Sequence, residues 1–284
     1  MMNVYWNGEV LPQDSVRVHP DDRGYLYGDG IYEVIRVYQG RCFEAQAHQR
    51  RWCQSADWIG LSPQDASLEA ICLSLLEANE CQKSDAMFYL QVSRGVAPRK
   101  HVFPEPAPAA SVYGFVKPLA RPDLLARPLA RAACLPDRRW LDCHIKSISL
   151  LGAVMAAQKA HESDCAEAIL HREGRVTEGS HTNVFAVVEG VLRTHPADHW
   201  ILNGISRQVV IEEAHRLGFT VVEEAISLDM LQAASEVFLT GTTVEIWPVQ
   251  SLDGNPVGDG SMGPVSRQLA QAFDRRVERL IQGS

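Results

Sequence analysis

The chain has 284 residues, of which 46% are hydrophobic and 22% charged, a balance that belongs to a folded globular protein and excludes a disordered one. Its net charge of -8 and the absence of any Lys/Arg cluster exclude a surface built to attract nucleic acid or anionic lipid. No apolar run approaches a membrane span, and Met1 to Gly8 hold no basic stretch followed by an apolar one, which predicts a cytoplasmic chain with no membrane partner.

A short strand at Val4 to Trp6 leads through Asn7-Gly8, a pair suited to a type I′ turn, into a return strand. After a glycine-rich loop, Ile31 to Tyr38 reads as a strand that Gln39-Gly40 turns back toward Cys42 and Phe43. Amphipathic helices are predicted near His48 to Ile59 and near Asp65 to Glu80, the second from Leu68, Ile71, Cys72, Leu75 and Leu76 at helical spacing. Strands at Met87 to Ser93 and Val112 to Lys117 complete an α+β domain over residues 1–120. Three prolines between Lys117 and Pro128 mark the junction. Residues 121–284 then alternate strands and helices as an α/β domain. It begins with a strand at Ala132 to Leu135, a helix from about Leu150 to His161, a strand at Glu167 to His171 and a hairpin through Glu173-Gly174. A strand at Asn183 to Val188 turns at Glu189-Gly190, and helices near Ser206 to Leu217, Ser227 to Ala234 and Val265 to Ile281 frame a strand at Glu236 to Leu239.

Only five lysines occur, Lys83, Lys100, Lys117, Lys146 and Lys159, so a lysine nucleophile can be sought by elimination. Lys83 follows a polar helix end, Lys117 lies at the junction, and Lys159 falls on the polar side of a helix whose apolar stripe is Leu151, Val154 and Met155. All three are expected in solvent. Lys146 stands between Ile145 and Ile148, where Ser147 or Ser149 can cap the next helix. Such a strand-to-helix corner can aim a partly desolvated amine into a cleft, the condition for a neutral nucleophile in imine chemistry. A lysine snorkelling from a strand end fits the same residues.

Glu178, in VTEGSHTN, ends the strand after Glu173-Gly174. A carboxylate there can keep a pyridine ring protonated and electron-poor; a solvated surface glutamate fits as well. Leu202 to Ser206 enters a helix whose inward side is Val210, Ala214 and Leu217, so its amides and a hydroxyl can meet an anion. Thr240-Gly241-Thr242-Thr243 is a second hydroxyl-rich turn, and both segments also read as an ordinary cap and turn. No GxxxxGK or GxGxxG stands in a nucleotide-loop setting. Arg99 and His101, two residues apart in PRKHVF, point the same way from an extended segment, as a carboxylate clamp or as a solvent-facing basic loop. His195 with His199, and His161 with Cys165, have helical ligand spacing but no third ligand, so no metal site is expected. Seven scattered cysteines without a CxxC pair read as reduced thiols.

In chain order, RGYLYGDGIYE, HQRR, RGVAPRKHVFP, HIKSISLLGAV, VTEGSHTNVF, LNGISRQVV and TGTTVEI resemble the fold-type IV pyridoxal-phosphate enzymes. That family holds branched-chain aminotransferases, D-amino-acid transaminases and aminodeoxychorismate lyases. The similarity runs through most of the chain, and the RxH in PRKH with the context of Tyr32 looks most similar to the bacterial D-amino-acid transaminases. The resemblance implies a D-amino-acid aminotransferase-like fold, with an α+β N-terminal domain, an α/β pseudo-barrel C-terminal domain and pyridoxal 5'-phosphate in the cleft between them. It implies Lys146 as Schiff-base lysine and proton shuttle, and Glu178 as partner of the pyridine nitrogen. Arg51, Ile205, Ser206 and Thr242 would bind phosphate, Leu202 would pack on the ring, and Tyr32, Arg99 and His101 would grip the substrate carboxylate. It further implies a homodimer in which the RxH loop reaches into the neighbouring active site, and ping-pong transfer from D-alanine or another D-amino acid to 2-oxoglutarate or another 2-oxo acid. The same scaffold also suits an L-branched-chain or (R)-amine transaminase or an aminodeoxychorismate lyase. From another class, a non-catalytic cofactor-binding protein is the alternative. The chain departs from the family pattern at His144, where aspartate usually precedes the Ile-Lys pair, and at His181 and Gly241, where serines are usual. Those departures bear on cofactor affinity and side-chain preference.

Overall fold

The computed structural model describes residues 2–61 and 67–283. Contacts divide the chain into two units, one of Met1–Arg121, Ile145–Leu150 and Leu280–Ser284, the other of Pro122–His144 and Leu151–Arg279. The division into 1–120 and 121–284 read from the sequence takes each part as one continuous stretch, whereas Ile145–Leu150 and Leu280–Ser284 group with the first unit.

In the first unit β1 (Asn3–Trp6) and β2 (Glu9–Pro12) form a hairpin whose Asn7 and Gly8 sit at φ 49° and 99°, both positive as a type I′ turn requires. The expected glycine-rich loop contains a helix instead, α1 (Arg23–Tyr27). Asp22 caps it by accepting from the Gly24 amide, and Gly28 ends it at φ 67°. Start and stop signals alone make this single turn, with no apolar periodicity to announce it. The remaining elements are β3 (Gly30–Tyr38), β4 (Arg41–Cys42), α2 (Ala45–Trp58), α3 (Leu68–Ala78), β5 (Ala86–Ser93) and β6 (Ser111–Pro118). Among the described residues they form a six-stranded antiparallel sheet in the order β2-β1-β6-β5-β3-β4. Ile31, Ile35, Phe88 and Leu90 of its strands pack against Trp52 of α2 and Leu75 of α3. The expected start of the second helix at Asp65 lies outside the described residues; α3 begins behind Ser67, whose hydroxyl accepts the Ala70 amide at 3.2 Å.

The edge of β3 explains why the chain returns to this unit after residue 144. β4 pairs only with Val37 and Tyr38, which leaves the start of β3 open. Residues 146–148 fill it: the Tyr32 amide donates to the Lys146 carbonyl at 2.9 Å, and the Ile148 amide donates to the Gly30 carbonyl at 3.1 Å. Ile145 joins the core. Ser149 donates its hydroxyl to the Gly28 carbonyl at 3.0 Å, and Ser147 Oγ accepts the Ser149 amide at 3.3 Å. Both serines thereby secure this segment.

The second unit contains β7 (Ala130–Pro136), α4 (Leu151–Glu162), β8 (Glu167–Arg172), β9 (Arg175–Gly179), β10 (Asn183–Val188), β11 (Val191–Thr194), α5 (Ile205–Arg216), β12 (Val221–Glu223), α6 (Leu228–Gln232), β13 (Glu236–Gly241), β14 (Glu245–Leu252), β15 (Asn255–Pro256) and α7 (Pro264–Gln282), whose last residues group with the first unit. Its strands form a nine-stranded sheet among the described residues, ordered β12-β11-β10-β13-β14-β7-β8-β9 with β15 on β14. The sheet mixes parallel pairs, β14 with β7 and β7 with β8, with antiparallel ones. It curls so that β9, at its end, comes beside β10, the pseudo-barrel expected of this half.

Three features of this unit depart from the sequence expectations for physical reasons. β14, central in the sheet, is invisible to strand patterning because Pro248 stands inside it. That proline lies opposite Phe238, and the register against β7 shifts between Val249 and Ser251, the irregularity that lets a sheet hold proline. On α4 the stripe Leu151, Val154 and Met155 is 72%, 58% and 62% exposed. The face toward the sheet is instead Ala156 and Ala160, against Ala133, Ala168 and Leu170, since small side chains let a helix approach closely and leave the large ones outside. Leu217, expected on the inner side of α5, is the residue that caps its end and is 38% exposed.

Candidate active site

In the first unit a carboxylate organises the chemistry. Glu33 of β3 is shut off from solvent, where an unpaired charge costs several kcal/mol. On α2, His48, Arg51 and Ser55 recur three and four residues apart and so share a face. Arg51 Nε donates to Glu33 Oε1 at 2.7 Å and its Nη2 to Oε2 at 2.9 Å; His48 Nδ1 lies 2.8 Å from Oε2. Burial pushes the Glu33 carboxyl up, but the Arg51 guanidinium and His48 outweigh it and hold the group well below the usual carboxylate range. One turn along, Ser55 Oγ accepts the Lys146 amide at 3.3 Å. The same helix face therefore fixes the Arg51 side chain and the Lys146 backbone.

Lys146 is half-buried, and its Nζ lies 4.3 Å from the centre of the Tyr32 ring. That ring stacks on Tyr89, and Tyr89 on Phe115, which gives the amine a rigid aromatic floor. Lys83, Lys100, Lys117 and Lys159 are all exposed. Arg99 and His101 are exposed too; the Arg99 Cζ lies 5.4 Å and the His101 ring 5.6 Å from the centre of the Tyr27 ring. So the first unit groups Tyr32 and Arg51 with Lys146, and Arg99 with His101 around a different tyrosine.

In the second unit Glu178, on β9, is buried and held by three donors. Arg139 Nη1 meets Oε1 at 2.5 Å, while Asn183 Nδ2 and the Leu202 amide donate to Oε2 at 2.9 and 3.0 Å. Arg139 is itself gripped by Asp137, from Nε at 3.0 Å and Nη2 at 2.8 Å, and Asp137 also takes Arg172 Nε at 3.1 Å and the Thr177 hydroxyl at 3.0 Å. Burial pushes the Glu178 carboxyl up to about 7 even though Arg139 and the Leu202 amide pull it down. Burial also pushes Asp137 up, but Arg139 and Arg172 more than offset this and hold it at about 2.

These shifts have opposite signs in stability. The folded chain binds the Glu178 proton more tightly than the unfolded chain, so that contribution is complete below about pH 4.5 and is lost as pH rises through about 7, a swing of about 3 kcal/mol. Asp137 stabilises above its ordinary 3.8 and loses that as pH falls through about 2. Cofactor-free protein carrying Glu178→Gln is therefore expected to show a flatter dependence of urea-unfolding free energy on pH, between about 5 and about 8, than the wild type. Equal slopes would place the titrating proton on another group.

Asn183 also gathers the expected phosphate segments. Its Nδ2 donates to the Leu202 carbonyl at 2.8 Å, and it lies opposite Thr240 in the β10–β13 pairing. A Cβ on Gly204 would meet Asn183 Oδ1 at 2.1 Å, so only glycine allows this approach. Gly204 precedes α5 with no side-chain cap, and Ile205 and Ser206, its first two residues, are buried. Thr242 stands in the turn from β13 to β14. Glu178, Leu202 and Gly204 thus meet at Asn183, with Ile205 and Ser206 following Gly204 in the chain; Asn183 is a residue that sequence reasoning passed over along with Glu33, His48, Asp137 and Arg139. The one available hint was a charged residue at an inward position of a strand, which Glu33 supplies.

A family model described as amino-transferase class IV matches residues 30–252. The chain belongs to the class IV aminotransferases. Among its curated relatives, the D-alanine aminotransferase of Staphylococcus aureus (strain MSSA476) is 40% identical over 278 residues, 98% of this chain and 99% of the relative. That of Staphylococcus haemolyticus is 42% identical over 283 residues, with 98% and 99% covered. The solved branched-chain aminotransferase of Thermoproteus uzoniensis with norvaline superposes with a TM-score of 0.88 at 29% identity, over 98% of this chain and 95% of that one. As a fold-type IV aminotransferase the protein depends on pyridoxal phosphate. Its donor set fits that group: an amine at Lys146, a buried carboxylate at Glu178, and a hydroxyl, Thr240 Oγ1, that is buried with no hydrogen-bond partner among the described residues.

Proposed function

We propose that this aminotransferase acts on D-amino acids, taking the amino group of D-alanine or another D-amino acid and passing it to 2-oxoglutarate or another 2-oxo acid in alternating half-reactions. What supports this reading is the Arg99 and His101 pair, both exposed and both beside the Tyr27 ring, where they can take a carboxylate, in a chain 40% and 42% identical along its length to D-alanine aminotransferases. Bound pyridoxal phosphate supplies an aldehyde that exchanges amino groups and a ring that accepts electrons from the substrate's α-carbon. Lys146 Nζ would hold the cofactor at rest and, once freed, would take the proton from that α-carbon and deliver it to the cofactor's former aldehyde carbon, the shift that leaves a 2-oxo acid. The Glu178 carboxylate pairs with the pyridine N–H, oriented by Arg139, Asn183 and the Leu202 amide. Arg51, Ile205, Ser206 and Thr242 hold the phosphate, Leu202 supports the ring, and Tyr32 with Arg99 and His101 holds the substrate carboxylate.

The same reading makes the enzyme a homodimer in which the Arg99 and His101 loop serves the neighbouring active site. The exposed stripe of Leu151, Val154 and Met155, with Trp140 and Leu141 also exposed, supports it, since apolar patches of this kind mark association surfaces. A cytoplasmic location is supported by seven cysteines that are all free thiols; among the described residues no helix is long and apolar enough to cross a membrane. Purified dimer is expected to convert D-alanine and 2-oxoglutarate to pyruvate and glutamate much faster than it turns over L-leucine or aminodeoxychorismate. Turnover of L-leucine without D-alanine would overturn the D-specific reading and favour the branched-chain activity of the Thermoproteus uzoniensis neighbour.

A further inference from the structure

We infer that Arg23 and Arg94, joined through Asp29, are positioning residues that aim the carboxylate grip. The inference rests on the proposed role of Arg99 and His101. Those two side chains are exposed, and a loop of this kind ordinarily wanders. Here its backbone is fastened at three consecutive carbonyls, and the side chain of the next residue, Phe103, is held as well. Arg23, buried on α1, donates from Nη1 to the Lys100 carbonyl at 2.7 Å and to the Val102 carbonyl at 3.5 Å, and from Nη2 to the His101 carbonyl at 3.5 Å. Its Nε donates to Asp29 at 2.7 Å. The same Asp29 oxygen, Oδ2, takes Arg94 Nε at 2.9 Å, and Oδ1 takes Arg94 Nη2 at 3.0 Å; the Arg94 Cζ lies 3.6 Å from the centre of the Phe103 ring.

The choice of arginine has a reason. Only a guanidinium offers five donors in a fixed fork, so one Arg23 side chain can address Asp29 and three loop carbonyls together; an ammonium can reach one or two of them. Asp29 places one negative charge between the two guanidiniums, which offsets much of their mutual repulsion and leaves the trio with one net positive charge. Arg23 and Arg99 further share the Tyr27 ring, their Cζ atoms 4.8 and 5.4 Å from its centre, so the orientation of the outer arginine is coupled to that of the buried one. Because the carbonyls of residues 100 and 101 set the peptide planes on either side of His101, fixing them fixes the direction in which His101 leaves the backbone, while Arg99 is aimed through the Tyr27 ring that it shares with Arg23. All these residues belong to one chain, and the grip stays intact whichever active site it serves.

The test uses the cofactor-loaded dimer and three variants, with acetate as a carboxylate that lacks an amino group. Arg23→Lys is expected to raise KM for D-alanine and for 2-oxoglutarate roughly tenfold, with kcat within about threefold of wild type and the acetate inhibition constant rising in parallel. Phe103→Ala, at an exposed position that leaves folding intact, releases the far end of the loop from Arg94 and is expected to move the same constants about threefold. Arg99→Ala reports on the grip itself. If Arg99→Ala raises KM while Arg23→Lys and Phe103→Ala leave KM and acetate inhibition unmoved, whether or not the melting temperature falls, the two arginines are structural anchors only and the inference is overturned. If all three variants leave these constants unchanged, the proposed grip is itself wrong and the inference goes with it.

Discussion

Lys146→Ala is expected to lower transamination of D-alanine by roughly 10^3- to 10^4-fold or more, because one substitution removes both the nucleophile and the general acid-base that carries the α-proton. No other lysine can stand in: the remaining four are exposed, and none shares the Tyr32 ring. The fold should survive the change. The segment is held through backbone groups, by the Lys146 amide on Ser55, the Lys146 carbonyl on Tyr32 and the Ile148 amide on Gly30, none of which involves the side chain. Turnover of D-alanine with 2-oxoglutarate measures the loss, and the mass of borohydride-treated peptides locates the covalent bond. A pyridoxyl group belongs on residue 146 in the wild type and nowhere in the variant. Activity within tenfold of wild type would move the chemistry to another residue.

The second large effect concerns the carboxylate. Glu178→Gln is expected to reduce kcat by about 10^2- to 10^3-fold, the range seen when one preorganised electrostatic partner of a developing charge is removed, since an amide cannot keep a pyridine ring protonated. Arg139→Met tests how the charge is maintained. Burial already pushes Glu178 up to about 7 with Arg139 beside it; without the guanidinium the carboxyl rises further, so near neutral pH it carries a proton and no longer serves as an anion. Raising the pH removes that proton. The Arg139→Met enzyme is therefore expected to lose about tenfold in kcat at pH 7 and to recover much of it toward about pH 9, whereas Glu178→Gln stays low throughout. An Arg139→Met profile parallel to wild type would show that Asn183 and the Leu202 amide suffice to hold the charge.

Sequence reading succeeded where the cause was local. Asn7-Gly8, Gln39-Gly40, Glu173-Gly174 and Glu189-Gly190 all take positive φ at both residues, because those residue types tolerate that backbone wherever they stand. Strands with regular inward alternation and helices with a continuous apolar stripe were recognisable for the same reason. The family, too, is legible in the order of its motifs, while elimination among few lysines and the VTEGSHTN context singled out Lys146 and Glu178 as candidates.

What the sequence could not convey is which partner each charge finds. The Glu33 pair with Arg51 spans 18 positions, and that of Glu178 with Arg139 spans 39; only folding brings them together, and the cost of burying one without the other is what makes each pairing obligatory. Pro248 hid a central strand whose bulge depends on its neighbours, and α4 turned its large apolar residues outward because alanines fitted the sheet. Local backbone preference and motif order alone placed this chain among the class IV aminotransferases. The tertiary structure decided which faces are buried and which charges are held in the ionised state, since burial and electrostatic compensation depend on groups far apart in sequence and close in space.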